Sequence, residues 1–445
     1  LGEDSRGEYV LKSKHEIRDP IHNFIKISST ERKVVDSTPF QRLRYIHQLA
    51  LTYLVYPGAT HKRFEHCLGV MELASRVYDV ITDSQNINES IRDIVPTEVF
   101  DIEYWKRVVR MAALCHDLGH LPFSHAAEEH LLPDGWNHEK LTVEIINCEE
   151  MAEIWKDLNI KPEHVAKIAV GPKYYPDNTF NDWETILSEI IVGDALGVDR
   201  IDYLLRDSYH SGVAYGKFDH YRLIDTIRIL PRQYSDSMEP ALGIESGGLH
   251  SAEAMLLARY FMYTQLYFHS VRRIYDKHLM DFLSMWLPSN KFSIELSDHL
   301  NLTDNEILTG LFKAAKDENN PGHDPASRIV NRKHYKLLYW RNPVDFNKNN
   351  NAAELIFREL CDRFGEANVF YDQYRQKGGV IDFPVISDDG SIVSSRAISD
   401  VLEDIPPIVV DFIYINPEYE KEGNKWLKEH REHILEQREV EEEEF

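Results

Sequence analysis

Apolar residues recur with a helical period over 64–81, 105–116, 141–157, 185–206 and 251–285. That spacing predicts helices across roughly 15–290. Pro57-Gly58, Pro133-Asp134-Gly135 and Gly171-Pro172 punctuate the pattern as turns. From 290 to about 365 the helical spacing continues on a more polar chain, with a loop at Asn319-Asn320-Pro321-Gly322. After that the pattern shortens. Val369-Phe370-Tyr371, Val380-Ile381-Asp382-Phe383, Ser391-Ile392-Val393 and Ile408-Val409-Val410-Asp411-Phe412-Ile413-Tyr414 predict strands. Asp388-Asp389-Gly390 predicts a turn, and Ser395 to Leu402 a short helix. The expected fold class is mainly α, with a small C-terminal α+β domain. The expected organisation is a helical core domain over 1–290, a helical extension over 291–365, the α+β domain over 366–418, and a charged helix with an acidic tail over 419–445.

Composition narrows the function. The chain has 445 residues, of which 43% are hydrophobic and 28% charged, enough to bury a core and keep a hydrated surface. No run of about 18 apolar residues occurs, so no membrane-spanning helix is expected. The opening Leu1-Gly2-Glu3-Asp4 lacks the basic and apolar regions of a signal peptide. The four cysteines, Cys67, Cys115, Cys148 and Cys361, form no CxxC pair. Together these features predict a reducing, cytoplasmic setting. The net charge of −24 repels nucleic-acid backbones and anionic membranes at long range. It argues against duplex nucleic acid but leaves room for a local basic pocket that takes a small polyanion. The terminal run Glu441-Glu442-Glu443-Glu444 reads as a solvated tail.

Chemistry concentrates in the histidines. Of 21 in the chain, His116, His120, His125, His130 and His138 fall in one stretch. The run Met111-Ala112-Ala113-Leu114-Cys115 predicts a buried helix, so Asp117 is an ionisable group at a buried helix end. Such a carboxylate is costly unless it is paired or bound to metal. His116 and His120, four apart, are expected on one helix face. Adjacent His116 and Asp117 offer a mixed nitrogen and oxygen set that suits Fe, Mn, Co, Ni or Zn. A mononuclear site needs further ligands, and His66 and Asp199 are the candidates. A single buried histidine is more often a hydrogen-bonded core residue; the H…HD…D series is what carries the reading.

A second clue lies further on. Asp199, Tyr203 and Asp207 follow one another at i, i+4 and i+8, with Arg206 beside them and Arg200 next to Asp199. Carboxylates, a phenol and guanidinium groups make poor core material, yet Ile191, Val192, Leu196, Val198, Ile201, Leu204 and Leu205 leave little of this helix for water. The stripe suits a metal-bound phosphate with a hydroxylated group beyond it.

These residues resemble the HD-domain dNTP triphosphohydrolases. The resemblance runs through Arg18-Asp19-Pro20-Ile21-His22, Phe40-Gln41-Arg42-Leu43-Arg44-Tyr45-Ile46, Pro57-Gly58-Ala59, Arg63-Phe64-Glu65-His66, the stretch from His116 to His125, and Val198-Asp199-Arg200-Ile201-Asp202-Tyr203. Asp382-Phe383-Pro384-Val385 is similar to a C-terminal strand of bacterial relatives. The resemblance implies an HD-type helical catalytic core. It implies that His66, His116, Asp117 and Asp199 ligate one divalent transition metal, with Mg on the triphosphate. It also implies that His125 is the proton donor, supported by His120, His138 and Glu128; the family's usual residue at the last position is aspartate. Arg63, Arg200, Tyr203 and Arg259 would hold the triphosphate, Gln48 and Asp207 the deoxyribose 3′-hydroxyl, and Tyr267 would exclude a 2′-hydroxyl. The implied reaction releases a deoxynucleoside and inorganic triphosphate. Some relatives are tetramers activated by guanine nucleotides, and Asp36, Gln41 and Arg44 match residues that read guanine there. Gln265 and Ser270 replace basic residues used near the second activator nucleotide, and His15-Glu16 replaces a Lys-Val pair. The expectation is thus a homo-oligomer, a tetramer, with GTP or dGTP as activator.

Two other readings compete. An HD-type phosphodiesterase or nucleotidase acting on another nucleotide would keep the metal ligands without needing Arg63, Arg200, Tyr203 and Arg259 together. A nucleotide-sensing or single-stranded nucleic-acid-binding protein would carry a silent site; the intact ligand set and the charge of −24 weigh against it.

Overall fold

The computed structural model describes residues 2–3, 9–10, 14–123, 128–175, 179–234, 237–376 and 381–436. The chain packs into two units: Leu1–Met262 with Lys291–Ile307 and Gly379–Ile405, and Tyr263–Asn290 with Leu308–Gly378 and Pro406–Phe445. Apart from a two-residue pairing of Gly2–Glu3 with Tyr9–Val10, the described strands are β1 (Lys14–Asp19), β2 (Asn23–Ser28), β3 (Ile227–Tyr234), β4 (Ser237–Glu245) and β5 (Lys336–Trp340). They continue with β6 (Val369–Arg375), β7 (Pro384–Ile386), β8 (Ile392–Ser394) and β9 (Val409–Ile415). Helices dominate, as the apolar spacing predicts. No helix of the described residues is long and apolar enough to cross a membrane.

The first unit is built on α1 (Arg63–Thr82), α2 (Val99–Cys115), α3 (His138–Ile146), α4 (Glu149–Leu158), α5 (Pro162–Val170), α6 (Asp182–Val192), α7 (Val198–Ser211) and α8 (Leu249–Met262). The first of these is buried over most of its circumference, with Phe64, Cys67, Leu68, Val70, Met71, Leu73, Ala74, Val77, Tyr78 and Ile81 all inside. Its start is fixed by the Glu65 carboxylate, which accepts the Lys62 backbone N–H at 2.8 Å. A full capping box of Asn181 and Glu184 starts α6.

Three features depart from the periodic pattern. The run 185–206 is two helices, α6 and α7, separated by the segment Gly193–Gly197; a Cβ on Gly197 would meet the Gly193 carbonyl oxygen at 2.6 Å. The run 251–285 breaks at a π-helical turn, Tyr263–Tyr267, before α9 (Ser270–Trp286). Two hairpins interrupt the expected helical stretch, β1–β2 and β3–β4, and β5 lies in the expected helical extension. In the second hairpin Pro231 faces Pro240, so neither position needs an amide hydrogen.

The strands expected between 366 and 418 are divided between two sheets. One has the order β8-β7-β4-β3, with β7 parallel to β4. The other has the order β5-β9-β6 and belongs to the second unit. There, α10 (Ala352–Phe364) and α11 (Glu420–Glu436) cover one face with Ile356, Leu360, Ile434 and Leu435 against Ile413 and Ile415. On the other face Ile274 of α9 packs with Tyr335 and Tyr414. The acidic tail from 437 and the expected strand residue Val380 lie outside the described residues.

Gly243 on β4 has no room for a side chain, because a Cβ would lie 2.2 Å from the Pro384 carbonyl oxygen and 2.8 Å from Leu230 Cδ1. Gly243→Val is expected to cost about 1–3 kcal/mol by overpacking, read as a lowered thermal midpoint of the purified chain.

Candidate active site

Three segments of the first unit converge. The first turn of α1 carries Arg63 and His66. The buried end of α2 delivers His116 and Asp117 immediately after Cys115. The first turn of α7 carries Asp199, where the helix N-terminus favours a carboxylate. Because α2 ends at Cys115, His116 and His120 stand on the turn that follows it and not on one helical face, a correction to the spacing argument. Gly119 makes that turn possible: a Cβ there would lie 2.1 Å from the His138 carbonyl oxygen and 2.4 Å from the Thr142 nitrogen. Its N–H donates to Thr142 Oγ1 at 2.9 Å, which fastens α3 to the turn.

His66, His116 and Asp199 each offer a ligand atom, all within 4.8 Å of one another. His66 Nε2 lies 3.0 Å from Asp199 Oδ1, and His116 Nε2 lies 3.5 Å from the same oxygen. Asp117 adjoins them, with Oδ1 3.4 Å from His116 Nε2 and Oδ2 3.9 Å from His66 Nε2. His116 Nδ1 is 2.8 Å from the Ala113 carbonyl oxygen, to which its N–H donates. Its Nε2 is buried and makes no hydrogen bond. A bare imidazole nitrogen facing two carboxylates is what a divalent cation would satisfy, so the residues fit a metal centre. Burial works against a charged His66, but Asp199 and Asp202 outweigh it and raise its pKa to about 10. Burial likewise works against ionised Asp117, yet His120, Arg63 and His116 hold its pKa well below the ordinary range. His66 and Asp117 thus each face opposite charge.

A second group adjoins Asp117. His120 Nε2 is 3.0 Å from Asp117 Oδ1. His120 stacks on His138, with centroids 4.0 Å apart and planes at 17°. Glu128 Oε1 accepts from the His138 backbone N–H and lies 2.7 Å from His138 Nδ1. Burial and Arg63 push His120 well down, whereas Glu128 overcomes the burial of His138 and raises it. His120, Glu128 and His138 also offer ligand atoms within 4.8 Å of one another, and the His138–Glu128 pair can equally hold a proton. His125 lies outside the described residues.

The other expected site residues have definite places. Arg63 is buried, with NH1 2.5 Å from Asp117 Oδ2. Gln48 is half-buried, and its Oε1 has no hydrogen-bond partner. Arg200 donates to the carbonyls of Gly193 and Asp194. Tyr203 and Asp207 follow on α7, where Asp207 Oδ1 is 2.7 Å from His61 Nε2. Arg259 is half-buried on α8. Tyr267 belongs to the second unit, on the π-helical turn, with its ring 5.0 Å from that of Tyr263. Asp36 is exposed and pairs with Arg32 at 3.0 Å. Gln41 donates to the Val35 carbonyl and accepts from exposed Arg44, whose guanidinium lies 3.5 Å from the centroid of the Phe64 ring.

Sequence reasoning missed Asp202. It is fully buried, with Oδ2 2.8 Å from His66 Nδ1 and Oδ1 2.7 Å from His22 Nε2. Arg206 donates to both its oxygens and to Asp19. The available signal was its place one turn after Asp199 on a helix with almost no exposed face. Asp304 was missed as well: fully buried, it accepts the backbone N–H of Phe123 at 3.1 Å and lies 2.5 Å from His47 Nδ1.

Residues 63–171 match the HD domain model, and residues 218–364 match the HD associated region. The chain is 30% identical to the uncharacterized protein YwfO of Bacillus subtilis over 84% of its own length and 81% of that protein's. It is 31% identical to the human deoxynucleoside triphosphate triphosphohydrolase SAMHD1 over 73% of this chain and 54% of that one. It is 36% identical to an uncharacterized protein of Methanocaldococcus jannaschii over 58% of this chain and 47% of that one. The chain therefore spans about half the length of the last two relatives. A crystal structure of a hypothetical protein from Aquifex aeolicus superposes with a TM-score of 0.75 at 32% identity, covering 93% of this chain and 100% of that one. By its sequence and its fold, the chain belongs to the HD-domain, dNTP-triphosphohydrolase-like family of phosphohydrolases.

Proposed function

We propose that the chain hydrolyses deoxynucleoside triphosphates to deoxynucleosides and inorganic triphosphate. The observation that carries the reading is the bare His116 Nε2 beside His66 and Asp199, with the His120–His138–Glu128 group next to it. The similarity to the dNTP triphosphohydrolases supports the choice of substrate.

In this reading His66, His116, Asp117 and Asp199 hold one divalent transition metal ion, of the class Fe, Mn, Co, Ni or Zn. When bound, the ion supplies Lewis acidity to the phosphoryl group under attack. Arg63, Arg200, Tyr203 and Arg259 hold the triphosphate with charge-assisted hydrogen bonds. His125 gives its proton to the departing 5′-oxygen, a general-acid step worth about 10²–10⁴-fold. His120, His138 and Glu128 keep that proton supplied. Gln48 and Asp207 face the sugar, and the unpartnered Gln48 Oε1 supports this role. Activation by GTP or dGTP in a homotetramer completes the reading; Asp36 and Arg44 are exposed and so accessible to a guanine nucleotide.

The direct test incubates each dNTP, alone and with GTP or dGTP, and identifies the products. Intact triphosphate is expected, at a rate raised by the guanine nucleotide. Release of orthophosphate or pyrophosphate instead would move the chain to another HD phosphohydrolase class. His116→Ala should abolish both bound metal, by elemental analysis, and turnover, while the far-ultraviolet spectrum is preserved. Glu128→Gln should lower kcat more than it raises KM. Glu128 raises the pKa of His138, so its loss lets the imidazole deprotonate at lower pH. The alkaline limb of the kcat profile should therefore move toward acid.

A further inference from the structure

We infer that Asp202 is the positioning residue of the metal centre, and that the N-terminal hairpin β1–β2 serves it as a buttress. The inference rests on the reading of His66 and Asp199 as metal ligands. Of the two nitrogens of His66, Nε2 faces Asp199 at 3.0 Å and Nδ1 faces Asp202 at 2.8 Å. A carboxylate that accepts the Nδ1 proton fixes the tautomer, so the Nε2 lone pair is left for the cation. It also fixes the plane of the ring. Asp202 cannot drift, because each of its oxygens has a second partner. Oδ1 takes His22 Nε2 at 2.7 Å and Arg206 NH2 at 2.9 Å, and Oδ2 takes Arg206 Nε at 2.8 Å.

The chain of contacts continues into the hairpin. Arg206 NH1 donates to Asp19 Oδ2 at 2.8 Å. Asp19 Oδ1 accepts the backbone N–H groups of Ile21 and His22 at 2.9 and 2.8 Å, which ties off the turn between β1 and β2. His22, Asp19, Asp202 and Arg206 are all buried, so each depends on the others for its partner. On the opposite side α1 presents Gly69, one turn after His66. A Cβ there would fall 2.0 Å from Asp202 Oδ1 and 2.4 Å from Arg206 NH2. The missing side chain lets α7 approach closely enough for the His66–Asp202 contact. The buttress draws on residues 19–22 and 202–206, outside the span 63–171 that matches the HD domain.

The test titrates the chelator-stripped full chain with Mn²⁺ by calorimetry and records the thermal midpoint of each metal-free protein. Wild type is expected to take up Mn²⁺, and Asp202→Asn to bind it about 10–100-fold more weakly. His22→Ala leaves all four ligands and Asp202 in place, and is expected to show a smaller loss of the same sign. A merely structural role would lower the midpoint and leave the affinity of the folded protein unchanged. If Asp202→Asn does not fold, His22→Ala decides: weakened binding supports the inference and wild-type affinity overturns it. Wild-type affinity in a folded Asp202→Asn also overturns it while leaving the metal centre intact. A wild-type chain that takes up no Mn²⁺ overturns the metal centre and this inference together.

Discussion

The candidate site of the first unit answers to one electrostatic constraint: several carboxylates are buried in one place. Asp19, Asp117, Asp202 and Asp207 are each at most 6% exposed. An isolated buried carboxylate would be strongly disfavoured, and one left without its partner costs several kcal/mol. Every one of these has such a partner: Arg206 for Asp19 and Asp202, Arg63 for Asp117, His61 for Asp207. Removing either member of such a pair would strand the other as a buried charge. Among the described residues His116 Nε2 is one of several buried polar atoms without a hydrogen bond, and it is the one that faces Asp117 and Asp199.

Much of this was legible in sequence because ionic residues inside apolar helices are conspicuous. His116-Asp117 after Met111–Cys115, and Asp199 with Tyr203 and Asp207 among Ile and Leu, announce themselves by that contrast. Asp202 was harder to see, since its value lies in contacts with His66 and His22 that no local spacing encodes. Asp304 is the same case, at the start of a helix far from the turn whose backbone it caps. Helix boundaries were misread where the break is a backbone event: Gly193–Gly197 and the π-helical turn Tyr263–Tyr267 interrupt apolar periodicity that runs on through them.

The strands show the opposite failure. The alternation at 369–371, 391–393 and 408–414 was readable; the strand expected at 380–383 instead lies at Pro384–Ile386, and partner choice was not readable. Pro384–Ile386 joins β4 in parallel, whereas Val409–Ile415 pairs with β5 and β6. Short apolar strands carry no label for their neighbours; selection falls to close fits such as Gly243 under Pro384. The β3–β4 hairpin hid for a related reason, because its prolines obscure a strand pattern that their facing positions make harmless.

The contact between His22 and Asp202 spans 180 positions, and that distance has a kinetic meaning. During synthesis the hairpin and the HD segment emerge well before α7. Until residue 202 is available, His22 and His66 lack the carboxylate that each will later share, and Asp199 is missing too. Closing so long a loop costs entropy that is recovered only when the distant contacts form. Assembly of this centre therefore waits on α7, and a nascent chain interrupted before α7 would carry histidines with no geometry to hold an ion.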